Sequence, residues 1–263
     1  MLQLDLKGKN ALIAGSTQGI GLASAVMLAG MGANCTLIAR NEESLKEAVS
    51  KLPAAQGQQH GYLVADYSRP EEVRSVVQDF IAAGNAIHIL INNSGGPAAG
   101  PVVSAQTDAF LQAFNQHLIC NHIVSGLVLD GMKAAGYGRI INIISTSVKI
   151  PLKNLGVSNT IRGAVASWAK TMANEVAAYG ITVNNVLPGA TATGRLSSII
   201  DNKSAKTGMD KDEVAQEMLA EIPAARFGTP EEIASVIAFL ASPAAAYVNG
   251  TSIPVDGGRT GSI

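Results

Sequence analysis

The chain has 263 residues, 47% hydrophobic and 15% charged, with a formal net charge of −1 and a pI near 6.4, a composition suited to a globular protein with a large core. Charge this close to neutral gives no footing for nucleic acid or an anionic membrane surface, so both are set aside as partners. The N-terminus MLQLDLKGKN is charged and lacks a signal-peptide apolar region, no uncharged run is long enough to span a bilayer, and Cys35 and Cys120 read as buried free thiols, so a cytoplasmic, reducing setting is expected.

Short β-type apolar runs occur at 10–15 (NALIAG), 34–39 (NCTLIA), 59–65 (QHGYLVA), 87–93 (IHILINN), 139–144 (RIINII), 181–187 (ITVNNVL) and 251–255 (TSIPV). Helical patterns lie between them near 20–31, 43–52, 70–83, 107–135, 155–179 and 230–241. Strands apolar along their whole length, each followed by a helix, predict a parallel sheet covered on both faces. Right-handed crossovers then give an α/β doubly wound sheet of about seven strands in one domain over 1–263. The charged stretch DNKSAKTGMDKDE falls within an excursion at 195–222, which reads either as a solvated surface loop or as a substrate lid. Ligands of such a sheet sit at the C-terminal ends of its strands. That rule selects residues 14–21, 39–41, 65–68, 92–96, 144–147 and 187–193.

After the first run comes AGSTQGIG. Gly15 permits a tight turn, Gly19 lets the backbone approach a pyrophosphate, and Gly21 allows close helix–strand packing. The helix that follows presents unpaired N–H groups to an anion. Glycines alone are weak signals, but here they follow a strand, open a helix and begin a βαβ series, which is the context that nucleotide binding requires. Gly15, Ser16, Thr17, Gly19, Ile20 and Gly21 are therefore candidate cofactor-binding residues.

The spacing G-x-x-x-G-x-G resembles that of the short-chain dehydrogenase/reductase family, with Ala14 in place of the family's threonine. INNSGG at 91–96 is similar to the family's N-N-A-G, with Ser94 for alanine. GRIINIIS at 138–145 resembles its fifth strand, and ITVNNVLPG at 181–189 its sixth strand and Pro-Gly turn. RFGTPEEIASVIAFLAS followed by NGTSIPVDGG resembles the C-terminal region of β-ketoacyl-carrier-protein reductases. The resemblance runs along essentially the whole chain and implies a Rossmann-type fold and a nicotinamide cofactor.

An acid at the end of strand two would suit the ribose 2′-hydroxyl of NAD, whereas an arginine accommodates the 2′-phosphate of NADP. The strand ends IARNEE, so Arg40 favours NADP, with NAD the alternative; the plain reading of Arg40 is a surface residue at a strand end. By resemblance, Asp66 in VADYS matches the family's acid at the adenine edge and Asn92 its partner on strand four. Pro188, Gly189, Thr191 and Thr193 match the turn that contacts the carboxamide and phosphates.

The family reduces carbonyls with a tyrosine that donates a proton, a lysine four residues later that lowers the tyrosine pKa and holds the ribose, a serine after strand five, and an asparagine on the preceding helix. Ser145 matches the serine, or else merely caps the loop. The tyrosine position holds Ser158, the lysine position Arg162 and the asparagine position His117. Arg162 keeps the positive charge and can donate to the ribose hydroxyls of the cofactor, but cannot give a proton near neutral pH. Ser158 can orient a substrate. His117 titrates in a useful range and could protonate an alkoxide, or it is a structural residue. Lys149 and Lys153 are further donors at the correct edge, or surface lysines. None of the five tyrosines is well placed to substitute. His117 and His122, five apart, point in different helical directions, so no metal site is expected.

Two readings follow. One is an NADP-dependent oxidoreductase acting on a small carbonyl or hydroxyl compound with a rearranged proton-donating group. The other is a non-catalytic nucleotide-binding sensor or scaffold. The family's usual assembly implies a homo-oligomer, tetramer or dimer, and the stripe Ile161, Val165, Trp168 and Met172 suits such an interface or the monomer core.

Overall fold

The first apolar run forms β1 (Asn10–Ala14), in which Ala11, Leu12, Ile13 and Ala14 are all fully buried. A computed structural model of the chain describes residues 3–262. The remaining strands are β2 (Asn34–Ala39), β3 (Gly61–Val64), β4 (Ile89–Asn92), β5 (Gly138–Ile143), β6 (Ile181–Pro188) and β7 (Ser252–Val255). They form a parallel sheet of 7 strands in the order β3-β2-β1-β4-β5-β6-β7. Every expected strand is present, and the reversal of winding falls between β1 and β4, where a doubly wound sheet opens its ligand crevice.

Helices cover both faces. On one lie α1 (Gly19–Gly30), α2 (Glu42–Ser50) and, near the C-terminus, Pro230–Ala241; on the other lie α3 (Pro70–Ala82), Cys120–Ala135 and Gly156–Val176. Ala11 and Ile13 join the first core cluster, with Leu28, Leu45 and Ile237, while Leu12 and Ala14 join the second, with Val73, Val124 and Ala173. The alternation of β1 side chains between two apolar layers explains why the strand carries no polar residue at its buried positions. Each fully buried Leu or Ile contributes roughly 1.5–3 kcal/mol.

The pattern at 107–135 is not one helix. It divides into α4 (Thr107–Phe114), a π-helical turn at Asn115–Ile119 and α5 (Cys120–Ala135). A π turn widens the backbone by one residue without breaking the run of hydrogen bonds, so hydrophobic periodicity alone does not reveal it. The next helices are α6 (Gly156–Val176), α7 (Gly194–Thr207), α8 (Lys211–Ala220) and α9 (Pro230–Ala241). Residues 195–222 thus hold most of α7 and all of α8. Capping boxes start α8 (Asp210 with Glu213) and α9 (Thr229 with Glu232).

A buried asparagine ladder crosses the sheet. Asn92 Nδ2 donates to Asn142 Oδ1 at 2.9 Å, Asn142 Nδ2 to Asn185 Oδ1 at 3.0 Å, and Asn185 Nδ2 to Ser252 Oγ at 3.1 Å. These residues are register partners on β4, β5, β6 and β7, so the ladder is a direct product of parallel pairing. Cys35 and Cys120 are free and buried, and burial pushes both thiols up to about 12. No helix among the described residues is long and apolar enough to cross a membrane.

Candidate active site

The glycine turn joins β1 to α1 at the crevice. Gly15 has φ +57°, and a side chain there would meet Asn93 O at 2.8 Å; Gly19 has φ +56° and faces Thr193 across the turn, 3.3 Å from where a Cβ would stand. Gly21 lies beneath, where a Cβ would strike the carbonyl oxygen of Gly15. Helix α1, whose N-cap is Gln18, has no side-chain cap and no acid in its first turn, whereas α2, α8 and α9 have both and α3 has acids there. Its first amides are thus left for an outside acceptor, and the backbone path is bare enough for a pyrophosphate to approach. The residues present fit a dinucleotide phosphate.

From this turn a continuous cleft of about 1870 Å³ runs along the C-terminal strand ends. Thr17, Gly19 and Ile20 line it, as do Arg40 and Asp66 on one side and Pro188, Gly189, Thr191 and Thr193 on the other. Arg40 is exposed, and the charge of Asp66 is favoured by the Ser68 amide first and by Arg40 and Arg69 further out, which hold its carboxyl below the usual range. The pairing at Thr191 and Gly228 fixes the far wall, with Ala192 N–H donating to Gly228 O at 2.8 Å.

Three expectations are corrected. Ser16 is fully buried under the turn rather than in the cleft wall, and its Oγ has no partner among the described residues. Asn92 does not face the cleft; it heads the asparagine ladder. Its neighbour Asn93 does, and donates from Nδ2 to Gly15 O at 3.0 Å, bracing the glycine turn. Successive strand residues point to opposite faces, so the choice between Asn92 and Asn93 was a question of parity. The third correction concerns His117.

His117 lies in the π turn and is 1% exposed. It shares a 2.6 Å hydrogen bond between Nδ1 and Ser94 Oγ, and its Nε2 has no partner among the described residues. Burial first, then Arg162 and Arg195, push its pKa down to about 2. The imidazole is neutral at physiological pH and stands outside the cleft wall, not in it as expected. It positions Ser94, which does line the cleft.

Ser145, Ser158 and Arg162 converge on the cleft. Ser145 lies two residues beyond β5 and its Oγ accepts the Ser147 N–H at 3.1 Å, so it caps the loop there. Ser158 and Arg162 lie one turn apart on α6 and are only 9% and 8% exposed. Arg162 Nη1 donates to Ile143 O at 3.0 Å, tying the guanidinium to the end of β5. Burial pushes its pKa down to about 10, which leaves it charged through the neutral range. The start of α6 is held by the loop after β4: Gly100 N–H donates to Asn154 O at 2.7 Å, and Gly156 N–H returns to Gly100 O at 3.0 Å.

Other groups are excluded by position. Tyr67 borders the cleft, but its hydroxyl is buried without a partner among the described residues, and burial raises its pKa far above the ordinary value. Tyr62 bonds Glu42, and Tyr137 donates to Ala241 O. Of Lys149 and Lys153, only Lys153 borders the cleft. Arg195, not singled out by sequence, enters the wall from the first turn of α7 and donates from Nη2 to Pro97 O at 2.7 Å. Its signal was its place two residues after Thr193, at the foot of the excursion. No group of three or more His, Cys, Asp or Glu that could hold a metal occurs among the described residues.

Comparison with known proteins agrees with this fold. A family model described as enoyl-(acyl carrier protein) reductase matches residues 14–260. A 3-oxoacyl-[acyl-carrier-protein] reductase of Vibrio cholerae is 33% identical over 257 residues, covering 97% of this chain and 98% of the relative. The L-sorbose reductase of Gluconobacter frateurii, solved with NADPH and L-sorbose, is 30% identical with a TM-score of 0.92, covering 99% of this chain and 100% of that one. A gluconate 5-dehydrogenase from Burkholderia cenocepacia, solved with NADP and tartrate, is 31% identical with a TM-score of 0.88, covering 100% and 99%.

Proposed function

This chain belongs to the short-chain dehydrogenase/reductase family, and we propose that it carries out the family's carbonyl–alcohol interconversion with Ser145, Ser158 and Arg162 in place of the usual proton-donating set. It is an NADP-dependent oxidoreductase acting on a small molecule. The observation that carries the proposal is that one cleft joins the uncapped start of α1 to the convergence of those three residues.

The α1 amides and the Thr191–Thr193 turn would hold the cofactor pyrophosphate, and Arg40 the 2′-phosphate, through paired charge-assisted hydrogen bonds. When bound there, NADPH supplies a hydride. The Ser145 and Ser158 hydroxyls orient the substrate oxygen, and the fixed positive charge of Arg162 stabilises the alkoxide as it forms. Arg162 stays protonated, so it acts as an electrostatic stabiliser and not as an acid. The alkoxide takes its proton from solvent at the open cleft or from the Lys153 ammonium that borders it, since His117 is withdrawn from the wall. The Vibrio relative's acyl thioester is not carried over, since the reacting groups differ here. A cytoplasmic location is supported by the two buried, unpaired thiols. A homo-oligomer is supported by the family's usual assembly.

The test is NADPH binding by fluorescence, followed by NADPH oxidation against ketones, quinones and ketoacyl thioesters. Tight binding with turnover of at least one class is expected. Binding without any turnover would move the protein to a non-catalytic sensor, and failure to bind either nicotinamide cofactor would overturn the reading.

A further inference from the structure

The cations that line the cleft are treated in two ways. Lys203 pairs with Glu217, and Arg259 with Glu221, so both are neutralised by acids of this chain. Arg162 and Arg195 have no acidic partner within ion-pair distance among the described residues. Each donates one hydrogen bond there, to a backbone carbonyl: Arg162 to Ile143 O at 3.0 Å and Arg195 to Pro97 O at 2.7 Å. A guanidinium has five N–H donors in a planar fork, so most of the donor capacity of each remains unused. The two charges are close enough to disfavour one another. The only acids bordering the cleft among the described residues are Asp66, beside Arg40, and Glu221, already paired with Arg259.

Arg195 is tethered to the loop after β4. Its Nη2 donates to Pro97 O and stands 3.4 Å from the Cβ position of Gly96, at ordinary contact distance. The loop at Gly96 and Pro97 thus forms a shelf under the guanidinium at the cleft wall. Lys153 and Lys206, which have no ion pair among the described residues, add positive charge at the cleft, which draws anions toward it.

We propose that the substrate is a carboxylate, an oxo acid in the reducing direction and a hydroxy acid in the other, whose carboxyl group is gripped by Arg195 while its carbonyl oxygen lies at Ser145, Ser158 and Arg162. The inference rests on the oxidoreductase reading and names its substrate class. Arg162 answers the charge that forms during reaction; Arg195 answers the charge the substrate already carries. A planar fork and a carboxylate match through two parallel hydrogen bonds, a geometry that an ester or thioester carbonyl does not reproduce.

The probes are the 2-, 3- and 4-oxo acids of five carbons and their methyl esters, titrated calorimetrically into the NADP⁺-loaded protein and into the unloaded protein. The same probes are then offered with NADPH for turnover. At least one acid is expected to bind roughly tenfold or more tightly than its ester, the gain of a charge-assisted hydrogen bond. Arg195→Gln should abolish that preference with NADP⁺ affinity unchanged, and Arg195→Lys should restore part of it. Esters binding as well as acids, no acid binding, or a preference that survives Arg195→Gln would each overturn the proposal. Acid binding that depends on Arg195 without NADPH oxidation supports the anion site and counts against the oxidoreductase reading alone. If NADP⁺ does not bind, that reading fails, and the titration of unloaded protein decides the anion site.

Discussion

The two ends of the cleft are built to different rules. The end beneath the glycine turn uses backbone: bare glycines, the uncapped start of α1 and a strand-end arginine. The end at Ser145 uses side chains from the loop after β5, from α6 and from α7. Backbone geometry leaves little room for change, because a Cβ at Gly15 or Gly21 meets main-chain atoms. A side-chain constellation tolerates replacement so long as charge and hydrogen-bond direction suit the reaction. The first end reports that a nucleotide binds; the second decides what is done with it.

The largest expected effect is at the backbone end. Gly15→Val combines a disallowed φ of +57° with a clash against Asn93 and should weaken NADPH binding by at least about 100-fold, measured by fluorescence titration. A variant that binds normally would erase the contrast. At the other end, Arg162→Gln removes the fixed charge and should lower kcat by roughly 100-fold, as for loss of an oxyanion donor. NADPH affinity should change little, and an equal loss in both would place Arg162 with the cofactor instead.

Arg40→Ala should weaken NADPH binding roughly 10- to 100-fold, the range for losing charge-assisted hydrogen bonds, while NADH binding stays level. Equal losses for the two cofactors would remove the NADP assignment. The pH profile gives the smallest effect. His117 is neutral above about 2 and Arg162 charged below about 10, so kcat/KM for reduction should be flat between pH 6 and 9. A base whose pKa is depressed carries its charge only below the shifted value, so activity falls as pH rises toward that of Arg162 and not through neutrality. An inflection near pH 7 that disappears in His117→Gln would return the histidine to an acid–base role.

What could be read from sequence followed from local physics. Apolar runs such as NALIA, alternating with helical patterns, specified seven parallel strands, because a strand buried on both faces has no polar side to show. The glycines at 15, 19 and 21 marked the turn because Gly15 and Gly19 take positive φ and a Cβ at Gly15 or Gly21 would strike the main chain. The candidate positions Ser145, Ser158 and Arg162 came from resemblance to the family's motif, and all three border the cleft. What the chain could not declare was which way a side chain turns and what it meets. The π turn at Asn115–Ile119 carried His117 into the interior, where desolvation strips it of its proton. Strand parity sent Asn92 into a ladder whose other members lie 50 and more residues away, and left Asn93 to the cleft. Arg195 gained its place only when α7 folded over Pro97, 98 residues earlier in the chain. Local periodicity sets secondary structure; burial and long-range pairing set charge, and in this cleft charge decides the chemistry.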